Sequence, residues 1–171
     1  MSCAVPWFDV SLRPMNPTNE PVNEFVVTVA FSPLPWKKNY EDYVLKVLKL
    51  LGVGTWDLGV RLTDDEELRM LNRDFRGKDE PTDVLSFESE SFQGSDPKEN
   101  SKIAGDLAIS LAMVQTNARY FGVSEEEEMK RVTLHGILHL QGWDHQSNDA
   151  AEPMLEHQEK LLAQLTEVKL F

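Results

Sequence analysis

Cysteine is almost missing from this chain, and its scarcity limits how the fold can be held. The only cysteine among 171 residues is Cys3, so no intramolecular disulfide forms and any metal must be held by His, Asp or Glu. A reducing cytoplasmic setting fits this. No apolar run approaches 18 residues, and the N-terminus (MSCAVPWFDVSLRP) has no basic start followed by an apolar stretch, which argues against membrane insertion and against secretion. Basic residues are scarce as well. Seventeen Lys and Arg against 29 Asp and Glu leave a formal net charge of −12, which argues against a protein that grips nucleic acid by bulk electrostatics and leaves room only for a local basic site. Serine and cysteine nucleophiles lack support, because no G-x-S-x-G occurs and Cys3 lies in the irregular start.

What is present describes a packed fold. With 41% hydrophobic and 27% charged residues, the chain resembles an ordinary soluble globular protein, and its length suits one domain. Residues 1–22 hold Pro6, Pro14, Pro17 and Pro21 without a clear period and read as an irregular lead-in, so the domain is expected over residues 23–171. Asn23 to Phe31 and Trp56 to Leu62 read as strands, separated by a helix from Tyr40 to Leu51 that stops at Gly52. Thr63 with Glu66 matches a capping box and opens a helix ending near Gly77. Val84 to Phe87 and Ala104 to Ile109 are of strand length, with the polar Ser89 to Lys102 as a loop between them. Ser110 caps a helix to Tyr120, Ser124 with Glu127 opens one to Gln141, and Pro153 begins a last amphipathic helix. The acids Glu125 to Glu128 read as the exposed first turn of their helix. The pattern predicts an α/β (α+β) fold: a small mixed sheet covered by helices.

The segment LHGILHLQGWDH carries the chemistry. Three of the four histidines fall within it, spaced H-x3-H-x5-H. His135 and His139 are four apart, one turn from each other on the same helix face. Gly142 ends the helix in a left-handed turn, after which the chain folds back to offer His145 to the same ion. Three imidazoles with an open fourth position describe a catalytic zinc site, with one zinc per chain, since a structural site is normally closed by four protein ligands. The spacing H-x-x-x-H-x-x-G-x-x-H is that of the metzincin zinc proteases. Those proteases place a glutamate general base after the first histidine, and here that residue is Gly136. Asp144 suits an imidazole partner and a turn-stabilising residue equally well. His157, with acids around it on the last helix, reads as a surface residue rather than a ligand.

Three segments together, LNRDFRGKDEPTDVLSFE (Leu71 to Glu88), AGDLAIS (Ala104 to Ser110) and HGILHLQGWDH (His135 to His145), resemble the YbeY family of bacterial ribosomal-RNA maturation endoribonucleases. The resemblance spans about residues 60–166. It implies zinc on His135, His139 and His145, a functional arginine at Arg76, and single-stranded ribosomal RNA near the small-subunit 3′ end as substrate. Trp143 stands where the family usually has Tyr, Glu88 where Pro is common, and Glu80 where Lys is frequent. On its residues alone, Arg76 suits both a bidentate phosphate clamp and an ion pair with Asp79 or Asp83. The expected reaction is hydrolysis of an RNA phosphodiester, with zinc polarising a phosphate oxygen or acidifying its water while Arg76 offsets phosphate charge.

Two other readings stand beside this one. A zinc-dependent peptidase would lack its base at Gly136. A non-catalytic ribosome-assembly factor, with zinc holding the fold, would meet basic proteins of the small ribosomal subunit through its acidic surface, including Glu125 to Glu128 and the last helix.

Overall fold

Residues 23–30, 33–88 and 102–171 are described by the computed structural model. The lead-in over residues 1–22 and the polar segment over 89–101 lie outside the described residues. In chain order the elements are β1 (Glu24–Val29), α1 (Lys37–Leu50), β2 (Thr55–Thr63), α2 (Asp65–Arg76), β3 (Val84–Glu88), β4 (Lys102–Ser110), α3 (Leu111–Phe121), α4 (Glu125–Leu140) and α5 (Pro153–Ala163).

The strands form one mixed sheet in the order β1-β2-β4-β3. β1 runs parallel to β2 from Glu24↔Asp57 to Val29↔Leu62, and β2 runs parallel to β4 from Thr55↔Lys102 to Thr63↔Ser110. β3 closes one side antiparallel to β4, from Val84↔Ile109 to Glu88↔Gly105, and so forms an edge. The expected α/β fold with a small mixed sheet covered by helices is the fold observed.

Alternation along the strands divides the sheet into two faces. Leu58, Val60 and Leu62 of β2 join Leu107 and Ile109 of β4 in the larger core, which α1, α4 and α5 complete. Ala108 and Leu85 point the other way, where Leu68 and Leu71 of α2 cover them and Phe75 meets Phe87 edge-on with ring centres 5.2 Å apart. Helix α4 is buried around most of its circumference. Buried Tyr43 donates to the Lys130 carbonyl at 2.8 Å, and buried Tyr40 lies 3.1 Å from the Thr133 hydroxyl, so α1 anchors the helix that carries the histidines.

Some boundaries differ from the sequence expectation. α1 begins at Lys37 rather than Tyr40, because the pairs Lys37–Glu41 and Lys38–Asp42 support a solvent-facing first turn with no apolar signal. α2 is capped by Asp64, whose carboxylate accepts from the Glu67 N–H at 2.9 Å; Thr63 is the last residue of β2. The expected exposed acidic turn also needs correction. Glu128 is only 3% exposed and pairs with Arg131 at 3.1 Å, while Glu126 meets Lys130 at 2.8 Å. Arg131 also reaches Glu127 at 3.4 Å and Glu159 of α5 at 3.3 Å, so much of this acidic surface is neutralised within the fold.

Candidate functional site

Helical phasing places His135 and His139 side by side, with their Nε2 atoms 3.1 Å apart. Gly142, at φ 87°, then turns the chain out of α4, a conformation that costs a residue with a Cβ far more. The Gly142 N–H donates to the His139 carbonyl at 2.9 Å and the Trp143 N–H to the Leu138 carbonyl at 3.1 Å. That tight return brings the His145 ring to 5.2 Å from the His135 ring and 5.5 Å from the His139 ring. All three histidines offer ring nitrogens within 4.8 Å of one another and could hold one metal ion.

The surroundings of each ring fit that role. Each Nδ1 faces an oxygen acceptor: Gln158 Oε1 at 2.9 Å for His135, the Trp143 carbonyl at 3.0 Å for His139 and the Ser147 carbonyl at 2.9 Å for His145. Donation from Nδ1 fixes the tautomer in which Nε2 carries a lone pair and no proton. Two such lone pairs facing each other across 3.1 Å repel unless a cation lies between them. Burial is the main cause that holds His135 and His139 below the ordinary histidine range, and the neighbouring His145 acts in the same direction on both. Arg76 adds its positive charge to the causes acting on His139. Neutral imidazole is the form that binds metal.

The histidines open into a cleft of about 900 Å³, which Arg76 also lines. Arg76 ends α2, on the sheet face opposite α4, and reaches across the edge strand to donate to the Ser86 carbonyl at 3.1 Å. The alternative ion pairs read from the sequence do not form. Asp79 is held in a two-bond fork by Arg69 at 2.7 and 3.0 Å, and Asp83 accepts from Asn117 at 3.1 Å and from the Val84 N–H at 2.9 Å. Arg76 is exposed and forms no ion pair among the described residues, which leaves most of its donors open to a ligand.

Three contributors were not singled out from the sequence. Gln158 carries the one buried side chain that orients His135 from α5. Its signal was a polar residue on the apolar stripe of Met154, Leu161 and Leu165, where an amide needs a reason to be. Ser86 donates to the Gly136 carbonyl at 3.2 Å and so joins the edge strand to the histidine helix. The third is the pair of backbone carbonyls of Trp143 and Ser147, for which side-chain chemistry gives no signal. Asp144 acts on the turn, accepting from the His145 N–H at 2.8 Å. His157 lies outside the histidine trio and stacks on Trp143, with ring centres 4.8 Å apart and planes 21° from parallel.

Gly136 has a packing reason. A Cβ there would lie 2.8 Å from Leu107 Cδ2 and 3.1 Å from Val84 Cγ2, because α4 presses directly on β3 and β4. The position that would carry a peptidase base therefore faces the sheet and has no room for a glutamate.

Comparison with known proteins identifies the family of the chain. A family model described as endoribonuclease YbeY matches residues 29–166. The endoribonuclease YbeY of Treponema pallidum (strain Nichols) is 45% identical over 134 residues, covering 78% of this chain and 84% of the relative. That of Treponema denticola is 40% identical over 131 residues, covering 77% and 84%, and that of Borreliella burgdorferi (strain ZS7) is 43% identical over 128 residues, covering 72% and 83%. Among solved structures, the solution structure of TM1509 from Thermotoga maritima superposes with a TM-score of 0.56 at 29% identity, over 83% of this chain and 89% of that one. With a family model over most of its length and relatives well above 30% identity, this chain belongs to the endoribonuclease YbeY family.

Proposed function

We propose that residues 23–171 act as one zinc-dependent endoribonuclease domain that hydrolyses single-stranded ribosomal RNA in the cytoplasm, during maturation of the small-subunit 3′ end. The observation that carries this reading is the convergence on one cleft of three Nδ1-anchored histidines and an arginine that pairs with no carboxylate among the described residues. His135, His139 and His145 would hold zinc, which when bound supplies a Lewis acid for a phosphate oxygen and an acidified water. Arg76 meets the phosphate with a planar, permanently charged fork and stabilises the charge that builds on it. The bond from Arg76 to the Ser86 carbonyl keeps the guanidinium at the cleft, so little ordering is left for the moment of binding.

The charge of the cleft favours RNA presented by a larger partner. Among the described lining residues, Arg76 and Lys78 face the carboxylates of Glu80, Asp83, Glu88 and Asp144, and an overall charge of −12 adds repulsion at range. We therefore place the substrate on the small ribosomal subunit, whose proteins supply the affinity that this cleft lacks. The same charge pattern suits a non-catalytic assembly factor, and Arg76 separates the two readings. Arg76→Ala is expected to keep its zinc and its melting temperature while losing roughly a hundredfold or more in RNA cleavage rate. Native-rate cleavage by the variant would remove the clamp role. Dissociation constants measured at one salt concentration should be lower for small subunits than for naked RNA, and the reverse order would overturn the choice of partner.

A further inference from the structure

Among the described residues of the cleft lining, two cations stand among four carboxylates, a poor basis for holding a polyanion by charge. If the cleft takes single-stranded RNA, as proposed above, contacts that do not depend on charge must contribute. Trp143 is the one large aromatic side chain among the described residues of the cleft lining, and it remains 38% exposed. Its position is fixed from three directions. The backbone N–H donates to the Leu138 carbonyl at 3.1 Å, the carbonyl accepts from His139 Nδ1 at 3.0 Å, and the indole stacks on the His157 imidazole of α5 at 4.8 Å. A ring held in this way loses little freedom when something stacks on it.

Every nucleobase has a π face, so stacking on an aromatic ring holds single strands without demanding a sequence. Bases within a duplex are already stacked and are not offered to such a ring. The carbonyl bond to His139 ties Trp143 directly to the metal-binding trio, so a base on the indole belongs to a nucleotide beside the phosphate being cleaved. We propose that Trp143, supported from behind by His157, is the stacking platform for an unpaired base next to the scissile phosphate, and that this contact selects single-stranded RNA. Trp143 touches substrate, whereas His157 is a positioning residue. This rests on the ribonuclease reading of the same cleft.

The test uses the zinc-loaded full chain and short single-stranded RNAs, each with one abasic nucleotide at a successive position. Trp143→Ala is expected to raise KM by roughly five- to 150-fold, the range that stacking of one base commonly supplies, with kcat and zinc content little changed. An abasic nucleotide beside the cleaved bond should cost the native chain a similar factor and cost Trp143→Ala almost nothing, because the two changes remove one contact. His157→Ala should raise KM by less than Trp143→Ala. The milder Trp143→Tyr variant keeps a ring and is expected to stay within a few-fold of native KM, while most of the tryptophan fluorescence quenching on RNA binding disappears. Abasic and Trp143→Ala penalties that multiply, or quenching unchanged in Trp143→Tyr, would overturn the stacking role while leaving cleavage intact. Short RNA that is neither bound nor cleaved by the native chain, with RNA on small ribosomal subunits left uncut as well, would refute the ribonuclease reading and this inference together. Binding with quenching but without cleavage would refute the ribonuclease reading and the place beside a scissile phosphate, and would keep only the stacking contact between Trp143 and an unpaired base.

Discussion

The hydroxyl of Ser86 donates to the backbone carbonyl of Gly136 at 3.2 Å, between the two helical histidines. Because the Ser86 carbonyl also accepts from Arg76 at 3.1 Å, this edge-strand residue links the arginine from one sheet face to the histidine helix on the other. Ser86→Ala removes the bond to α4 and keeps the bond to Arg76. The expected loss is about 1 kcal/mol of stability, which at this chain length lowers Tm by roughly 2–4 °C. A fall of a few-fold in RNA cleavage should accompany it as the strand loosens, and thermal melts paired with initial rates check both. A variant with native rate and native Tm would show that the link positions nothing.

Gln158 holds His135 by its Nδ1 from α5. Gln158→Leu keeps the volume and the apolar packing of the helix but leaves that N–H without its acceptor. Loss of such an outer partner commonly weakens metal binding roughly ten- to a hundredfold. Competition with a chromophoric chelator measures it, and an unchanged affinity would mean that ring orientation comes from packing alone.

Acid should unfold the metal-free chain by a route visible at the same histidine. Burial lowers the folded-state pKa of His135 below its ordinary value of 6.5, so as pH falls the unfolded chain takes up the proton first. Stability is therefore complete above the ordinary histidine range and declines as pH drops through it toward the lowered folded value. Melts of the metal-free chain across this window should show the decline, and His135→Gln should flatten it. An equally steep decline in that variant would assign the effect to other groups.

Gly136→Ala tests the close contact of α4 with the sheet. Alanine gains about 1 kcal/mol in helix propensity, but a Cβ 2.8 Å from Leu107 Cδ2 forces the core to shift. Overpacking of this kind costs about 1–3 kcal/mol. The net expectation is a lower Tm, and a raised Tm would mean that the sheet yields without strain.

Much of this site was legible because helical spacing is a property of sequence. His135 and His139 at i and i+4, Gly142 after them, and the Ser124 cap with its bond from the Glu127 N–H at 3.1 Å all follow from local geometry. The sheet order was not legible, because strand pairing depends on contacts distant in sequence, and β3 pairing antiparallel with β4 has no local signature. The Asp64 cap was missed because Thr63, its neighbour, offers the same capping chemistry one residue earlier. Glu128 looked exposed because its burial depends on where α3 and Arg131 lie, which charge patterning does not record. Arg76 was ambiguous for a similar reason: Asp79 and Asp83 are near it in sequence, yet Arg69 and Asn117 take them in space.

The most direct measurement is RNA cleavage by the full chain as a function of zinc bound per chain, with metal content determined on the same samples. The account predicts that cleavage rises with zinc, saturates at about one ion per chain, vanishes when chelation removes the ion and returns when zinc is restored, and that His139→Ala neither holds zinc nor cleaves. Undiminished cleavage by a chain shown to be free of metal would contradict it.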